Sequence, residues 1–157
     1  MDAALLNDPN FWSDPRPFAP GGFGEDIPPF PELENHVLFQ TSGSTGTPKW
    51  ISLSKSALLL SAACVNRHLN VTEGSRWGLA LPLHHVGGFG VATRAFEAAC
   101  DIEIFPGRWN ASAFHEWLTG KKITHTSLVP TQVHDLIAAG LHAPPFLKAI
   151  VVGGGRL

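Results

Sequence analysis

Short apolar stretches alternate with longer segments of helical periodicity from residue 37 onward. Runs of β-branched and large apolar residues predict strands over residues 37–41, 50–53, 77–81, 102–105, 123–129 and 149–152. Helices are predicted between them, over residues 54–68, 87–99, 110–118 and 131–140. This alternation is typical of βαβ units, so we expect an α/β fold with a mostly parallel sheet and flanking helices.

Residues at the predicted helix ends support these boundaries. Ser54 and Asn110 can act as N-caps, because their side-chain oxygens can accept backbone N–H groups of the first turn. Thr131 is placed to begin a helix that Gly140 can end. The helix over residues 54–68 is apolar on most faces, which predicts that it is buried.

The first 36 residues have a different pattern. Frequent proline and glycine prevent a regular helix or a central strand there. The segment nevertheless contains five aromatic residues of a kind that disordered linkers usually lack, namely Phe11, Trp12, Phe18, Phe23 and Phe30. We therefore expect residues 1–36 to form an extended arm that packs against the fold, and residues 37–157 to form one domain.

Composition excludes several classes of function. Only 15% of the 157 residues are charged and the formal net charge is -2, so nucleic acid is not an expected partner. The longest run of small and apolar residues, 57–65, is too short to span a membrane. Cys64 and Cys100 form no CxxC pattern, so neither a disulfide nor a zinc site is predicted, and a cytoplasmic location is expected.

The histidines do not predict a metal site either. Of the eight histidines, only His84 and His85 are adjacent, and neighbours on an extended segment point to opposite faces. We expect no metal ligand among them.

The segment from Thr41 to Lys49 has the highest density of chemically useful groups. Glycines allow backbone N–H groups to face one concave side, hydroxyls add donors, and a lysine adds a positive charge. This donor set suits the oxygens of a polyphosphate. The residues are Thr41, Ser42, Gly43, Ser44, Thr45, Gly46, Thr47, Pro48 and Lys49.

Two other phosphate motifs do not fit this loop. A Walker loop counted from Gly43 would need glycine where Pro48 stands and a hydroxyl residue where Trp50 stands. The G-x-G-x-x-G fingerprint also lacks its third glycine. A flexible serine-glycine turn between two strands is the structural alternative, but such a turn has no reason to end in Pro-Lys.

The segment from Leu38 to Lys49 resembles the signature of the adenylate-forming family, which includes acyl-CoA synthetases, luciferases and the adenylation domains of peptide synthetases. Three further segments resemble family motifs in the expected order. They are residues 81–88 (LPLHHVGG), residues 127–132 (SLVPTQ) and residues 151–155 (VVGGG). Within the family, the last two segments look most like those of the o-succinylbenzoate CoA ligases of menaquinone biosynthesis.

This resemblance implies an ATP-dependent acid-thiol ligase that uses ATP with magnesium, CoA and a small carboxylic acid. It implies that residues 41–46 and Lys49 hold the β and γ phosphates, and that Gly153, Gly154 and Gly155 lie against adenine. By the same resemblance, the catalytic candidates are His85 and Lys49, and His85 orients the carboxylate. The resemblance also implies that Gly87, Thr131 and Gln132 contact the acid. Alternatively, His84 is the functional histidine, His85 is structural, and Thr131 only caps its helix.

Other family motifs have no counterpart in this sequence. The resemblance covers residues 37–157, and the family's magnesium-binding glutamate lies in a Tyr-Gly-x-Thr-Glu segment, whereas this chain contains no tyrosine. We therefore expect a partial AMP-binding domain that is inactive alone and self-associates through an exposed sheet. A non-catalytic nucleotide-binding remnant, an interaction module, or another acyl- or aryl-CoA synthetase are the alternatives.

Overall fold

The computed structural model describes residues 3–22, 31–41 and 49–155. The chain begins with a 3₁₀ helix (Ala3–Asn7), helix α1 (Pro9–Ser13) and a second 3₁₀ helix (Pro31–Leu33). The elements that follow are β1 (His36–Thr41), β2 (Lys49–Ser54), α2 (Lys55–His68), β3 (Arg76–Leu79), α3 (Val86–Glu97), β4 (Asp101–Ile104), α4 (Ala111–Gly120), β5 (His125–Leu128), α5 (Pro130–Ala138) and β6 (Ala149–Val152).

The strands form two separate sheets. Strands β3 to β6 make a parallel sheet in the order β4-β3-β5-β6, and β1 and β2 form an antiparallel hairpin. The predicted α/β class with a mostly parallel sheet is therefore confirmed. The sequence pattern did not show that the hairpin stands apart from the main sheet.

Helices cover the parallel sheet on both faces, because successive residues of a strand point to opposite sides. On one face, Trp77 and Leu79 of β3 pack against Val91 and Ala95 of α3. On the other face, a side chain at Gly78 would collide with Trp117 of α4, which occupies that space. The absence of a side chain at Gly78 thus lets α4 lie close to the sheet.

Most predicted helix ends are confirmed. The Ser54 hydroxyl accepts a hydrogen bond from the backbone N–H of Ala57 at 3.1 Å, and the Asn110 side chain accepts one from Ala113 at 2.9 Å. Gly140 follows α5 with a φ of 65°, a left-handed conformation that favours glycine.

The prediction that Thr131 caps α5 is wrong. The N-cap of α5 is Val129, and Pro130 occupies the first turn, where its fixed φ suits a helix. The side-chain oxygen of Gln132 accepts a hydrogen bond from the Val129 N–H at 3.0 Å. The helix therefore starts before Thr131, and a side chain within its first turn satisfies the N-cap residue.

The prediction that α2 is buried is also wrong. Only one stripe of this helix, formed by Lys55, Leu58, Ala62 and Asn66, is buried. Leu60 is 67% exposed. A helix composed mainly of small and apolar residues does not reveal in its sequence which faces the rest of the protein covers.

The amino-terminal arm packs on the domain, as its aromatic residues predict. The ring of Phe11 lies 5.0 Å from that of Phe18, and the ring of Trp12 stacks on Phe96 of α3 at 5.3 Å. Phe18 also bridges to β1, donating its N–H to the carbonyl of His36 at 2.9 Å. Phe23 and Phe30 lie outside the described residues.

The two cysteines form no disulfide with each other. Burial raises the pKa of the Cys100 thiol to about 11, so this sulfur is a poor nucleophile at neutral pH. In the part of the chain that the structure describes, no helix has the length and apolar character needed to cross a bilayer.

Buried His125 predicts that stability depends on pH. Its ring packs against Trp77 at 5.3 Å, and burial lowers its pKa below the ordinary value. Because the unfolded chain binds this proton more readily than the folded one, stability is fully present above about pH 6.5 and is lost as the pH falls further. Urea denaturation at several pH values across this range should show a free energy of unfolding that falls as the pH falls. His125→Gln should reduce the slope of this free energy against pH.

His68→Gln is the matched control, because His68 is exposed at the end of α2. We expect this control to leave the slope unchanged. A slope that His125→Gln does not alter would show that another group causes the acid sensitivity.

Exposed apolar groups at the sheet edge predict self-association. Ile104 at the end of the edge strand β4 is 51% exposed, and the opposite edge strand β6 has the uncharged sequence AIVV. Unprotected edges favour pairing with another chain. Sedimentation velocity should show oligomers that Ile104→Lys reduces, whereas Ile137→Lys on the exposed surface of α5 should not. A wild-type chain that stays monomeric would contradict this expectation.

Candidate functional site

Three of the predicted motif segments follow the carboxyl ends of neighbouring strands of the parallel sheet. His84 and His85 follow β3, Thr131 and Gln132 lie in the first turn of the helix after β5, and Gly153–Gly155 follow β6. The chain connects β3 to β4 on one side, and β5 lies on the other side of β3. The strand order thus reverses at β3. In α/β folds such a reversal, called a topological switch point, opens a crevice beyond the carboxyl ends of the strands, where ligands bind.

The histidine pair lies in a turn immediately before α3. The His85 N–H donates to the Pro82 carbonyl at 3.1 Å, and the two imidazole rings lie 4.3 Å apart. The prediction that these neighbours point to opposite faces is therefore wrong, because they stand in a turn and not in an extended strand. The His84 side chain is exposed, but partial desolvation and the adjacent His85 lower its pKa, which favours the neutral ring near neutral pH.

Two glycines at the start of α3 fix the position of this turn. A side chain at Gly88 would lie 2.6 Å from the Leu81 carbonyl oxygen and still closer to that of Pro82. A side chain at Gly87 would lie 3.2 Å from the Leu81 side chain. Only a residue without a side chain allows the helix to begin so close to the histidine turn.

The triple glycine packs against the turn between β5 and α5. A Cβ atom at Gly154, which has a φ of 81°, would lie 3.4 Å from the Val129 side chain, and one at Gly155 would lie 3.5 Å from Pro130. Within residues 3–22, 31–41 and 49–155, no atom lies within 4 Å of the corresponding position at Gly153. The structure thus brings these two predicted motifs together and leaves open space above the Gly153 backbone.

The two candidate residues in the turn after β5 are arranged differently. Gln132 is 8% exposed, and its side-chain oxygen is engaged by the Val129 N–H. Thr131 is exposed. The structure therefore gives Gln132 a role in shaping the turn and leaves Thr131 accessible.

The base of the predicted phosphate loop is fixed to α3. Thr41 and Lys49 are paired across the hairpin and close the loop between them. Phe39 of β1 packs edge-to-face against Phe89 of α3 at 5.3 Å, one turn after His85. The other loop candidates, Ser42, Gly43, Ser44, Thr45 and Gly46, lie outside the described residues.

Arg94 is a candidate that the sequence analysis missed. Its guanidinium donates to the Ser127 hydroxyl at 3.0 Å and lies over the Trp77 ring at 5.4 Å, and burial lowers its pKa. No ion pair to Arg94 forms within the described ranges. The sequence signal that could have found it is a single arginine within the mostly small and apolar run of residues 86–96.

The structure also contains a cavity of about 140 Å³ that none of the predicted site residues line. It lies between α4, α5 and the segment before β6, and its walls are mostly apolar, including Phe114, Leu136 and Leu147. No group of three or more histidine, cysteine, aspartate or glutamate side chains suited to a metal was found within residues 3–22, 31–41 and 49–155.

Comparison with known proteins agrees with this arrangement. A 2-succinylbenzoate–CoA ligase of Staphylococcus aureus (strain JH9) is 32% identical over 121 residues, which are 77% of this chain and 24% of the relative. The chain thus spans about a quarter of the length of the curated relatives that it matches.

Solved structures of Bacillus subtilis o-succinylbenzoate CoA synthetase have the same fold. The complex with an acyl-adenylate intermediate has a TM-score of 0.70 at 27% identity and covers 77% of this chain and 32% of that one. The complex with ATP and magnesium has a TM-score of 0.69 at 27% identity, covering 77% and 25%. The sequence profile of AMP-binding enzymes matches residues 5–157, and the chain therefore belongs to the AMP-binding enzyme family.

Proposed function

We propose that this chain supplies the nucleotide- and acid-binding part of an ATP-dependent acid-thiol ligase. The observation that carries the proposal is the common location of its motifs. The histidine turn, the turn after β5 and the triple glycine all follow carboxyl ends of adjacent parallel strands, and the hairpin that ends in the phosphate loop packs on the same helix α3.

Such a ligase works in two steps. A carboxylate oxygen attacks the α-phosphorus of ATP, which forms an acyl-adenylate and releases pyrophosphate. The CoA sulfur then attacks the acyl carbon and releases AMP. Because the protein does little covalent chemistry in such a reaction, its contribution is positioning and stabilisation of charge.

Each candidate has a role in this scheme. Lys49 and the loop residues 41–46 hold the β and γ phosphates, and the open backbone surface at Gly153 receives the flat adenine ring. His85 orients the reacting carboxylate. Gly87 keeps the acid pocket open beside it, Thr131 contacts the acid, and Gln132 maintains the turn that presents Thr131.

Arg94 points to the class of acid. A half-buried guanidinium that forms no ion pair within the described chain suits a second carboxylate on the substrate. Relatives of the chain are named for 2-succinylbenzoate, which carries two carboxylates. We therefore propose an aromatic dicarboxylic acid of this type, and menaquinone biosynthesis as its pathway.

Among the described residues no cluster of three or more metal-ligating side chains was found. The 157 residues also contain no tyrosine, so the family segment that carries the magnesium-binding glutamate has no counterpart among them. We accordingly propose that they bind substrates without completing the reaction. A cytoplasmic setting is consistent with the use of ATP and CoA.

Lys49→Ala tests the phosphate site. Removing the positive charge should weaken the binding of ATP and of pyrophosphate by roughly tenfold, because a charge-assisted hydrogen bond contributes about 1.5–3 kcal/mol. Isothermal titration calorimetry measures this change. Lys121→Ala, which removes a lysine charge at the end of α4, is the matched control.

Three results would contradict parts of the proposal. An ATP affinity that Lys49→Ala leaves unchanged would place the phosphates elsewhere. Pyrophosphate release by the 157 residues with ATP, magnesium and 2-succinylbenzoate would show that the missing motifs are dispensable. Absence of ATP binding in every variant would favour the alternative of an interaction module.

Arg94→Met tests the second carboxylate. The wild-type chain should bind 2-succinylbenzoate about tenfold or more tightly than 4-oxo-4-phenylbutanoate, which lacks the ring carboxylate. The variant should bind both acids equally weakly, and competition experiments by NMR can measure both. If Arg94→Met keeps the preference, another group recognises the dicarboxylic acid.

A further inference from the structure

The end of the described amino-terminal arm lies against the histidine turn. A Cβ atom at Gly21 would be 3.8 Å from the Cβ of His84, which is ordinary van der Waals contact. Ala19 and Pro20, immediately before it, are buried. The arm backbone at Gly21 therefore passes close to the base of the His84 side chain, which is itself exposed.

A buried lysine fixes the arm in this place. Lys55, the first residue of α2, is 2% exposed, and its ammonium group donates to the carbonyls of Phe11 and Asp14 at 2.7 Å each. The same ammonium lies 4.5 Å from the centre of the Phe11 ring. Burial lowers the pKa of Lys55, because carbonyls and an aromatic face stabilise the charged ammonium less well than water does.

The arm also holds the helix that carries the histidines. The Phe11 and Trp12 rings lie 6.3 and 6.2 Å from that of Phe89 in α3. The backbone N–H of Phe89 donates to the His85 carbonyl at 3.0 Å, which links this aromatic cluster directly to the histidine turn. The arm thus approaches the turn at its Gly21 end and supports it through α3.

We propose that arm residues 3–22 position the His84–His85 turn, with Lys55 as the anchor and Gly21 as the contact. Lys55 is a positioning residue in this arrangement and does not touch substrate. The inference rests on the proposed function only in that the function makes these histidines part of the acid site.

A carboxylate introduced at Gly21 tests the contact. In Gly21→Asp the new charge should raise the pKa of His84 by roughly one unit, because an opposite charge within about 4–6 Å favours the protonated ring. NMR titration of the His84 imidazole signals measures this shift. The signals of the neighbouring His85 have to be assigned separately. Gly120→Asp, at the exposed end of α4, is the matched control and should leave the pKa of His84 unchanged.

The double variant Lys55→Met with Gly21→Asp tests the anchor. Met keeps the length of the side chain but removes the ammonium, so the arm should detach and the rise in the His84 pKa should disappear. Lys121→Met with Gly21→Asp should retain the rise. If Lys55 only stabilised the fold, Lys55→Met would lower the melting temperature of the protein, but Gly21→Asp would still raise the pKa of His84.

Each outcome decides one part of the proposal. An unchanged His84 in Gly21→Asp would overturn the contact, and a rise that survives Lys55→Met would overturn the anchor. If Lys55→Met does not fold, Lys55→Gln replaces it; its side chain is one atom shorter and uncharged, so the rise should become smaller, and a rise equal to that of Gly21→Asp alone would overturn the anchor. Because no nucleotide or acid is present, failure here is distinguishable from failure of the proposed function.

Discussion

The fully buried ring of Phe89 connects the parts of the molecule on which the candidate site depends. In α3 it contacts Phe39 of the hairpin and Phe11 and Trp12 of the arm. Each such aromatic pair contributes about 0.5–1.5 kcal/mol beyond the burial of its area. The base of the phosphate loop, the histidine turn and the arm are therefore held in place by one cluster.

Buried charges show where this fold departs from a purely apolar core. Lys55 satisfies its ammonium with two backbone carbonyls and is closed off by the arm. Arg94 has the Ser127 hydroxyl and the face of Trp77. Burying a charge is costly unless other groups replace the lost water. The charge of Lys55 is thus satisfied within the protein, whereas the half-buried Arg94 is the group for which we propose a carboxylate ligand.

Local sequence signals predicted the elements well. The caps at Ser54 and Asn110 and the stop at Gly140 depend on residues within one turn, so they are visible in the sequence. The family motifs likewise predicted that several separate segments would meet at one site. The low charge content agrees with a parallel sheet that helices cover on both faces.

Two of the wrong predictions, on α2 and on the histidine pair, concern tertiary contacts, and the one on Thr131 is local. Whether α2 is covered, and how the rings of His84 and His85 are arranged, depends on which segments lie beside them. Thr131 looked like a cap because its side chain can be one, but Pro130 and Gln132 start the helix earlier. Arg94 stands in an apolar helix whose pattern says nothing about the hydroxyl it meets on β5.

The central claim is that one edge of the sheet binds a nucleotide and an acid together. The most direct measurement is to map backbone amide shifts by NMR while ATP and 2-succinylbenzoate are added in turn. ATP should perturb Lys49 and Gly153–Gly155, and the acid should perturb His84, His85 and Arg94. Perturbations confined to the cavity between α4 and α5, or none at either set of residues, would contradict the claim.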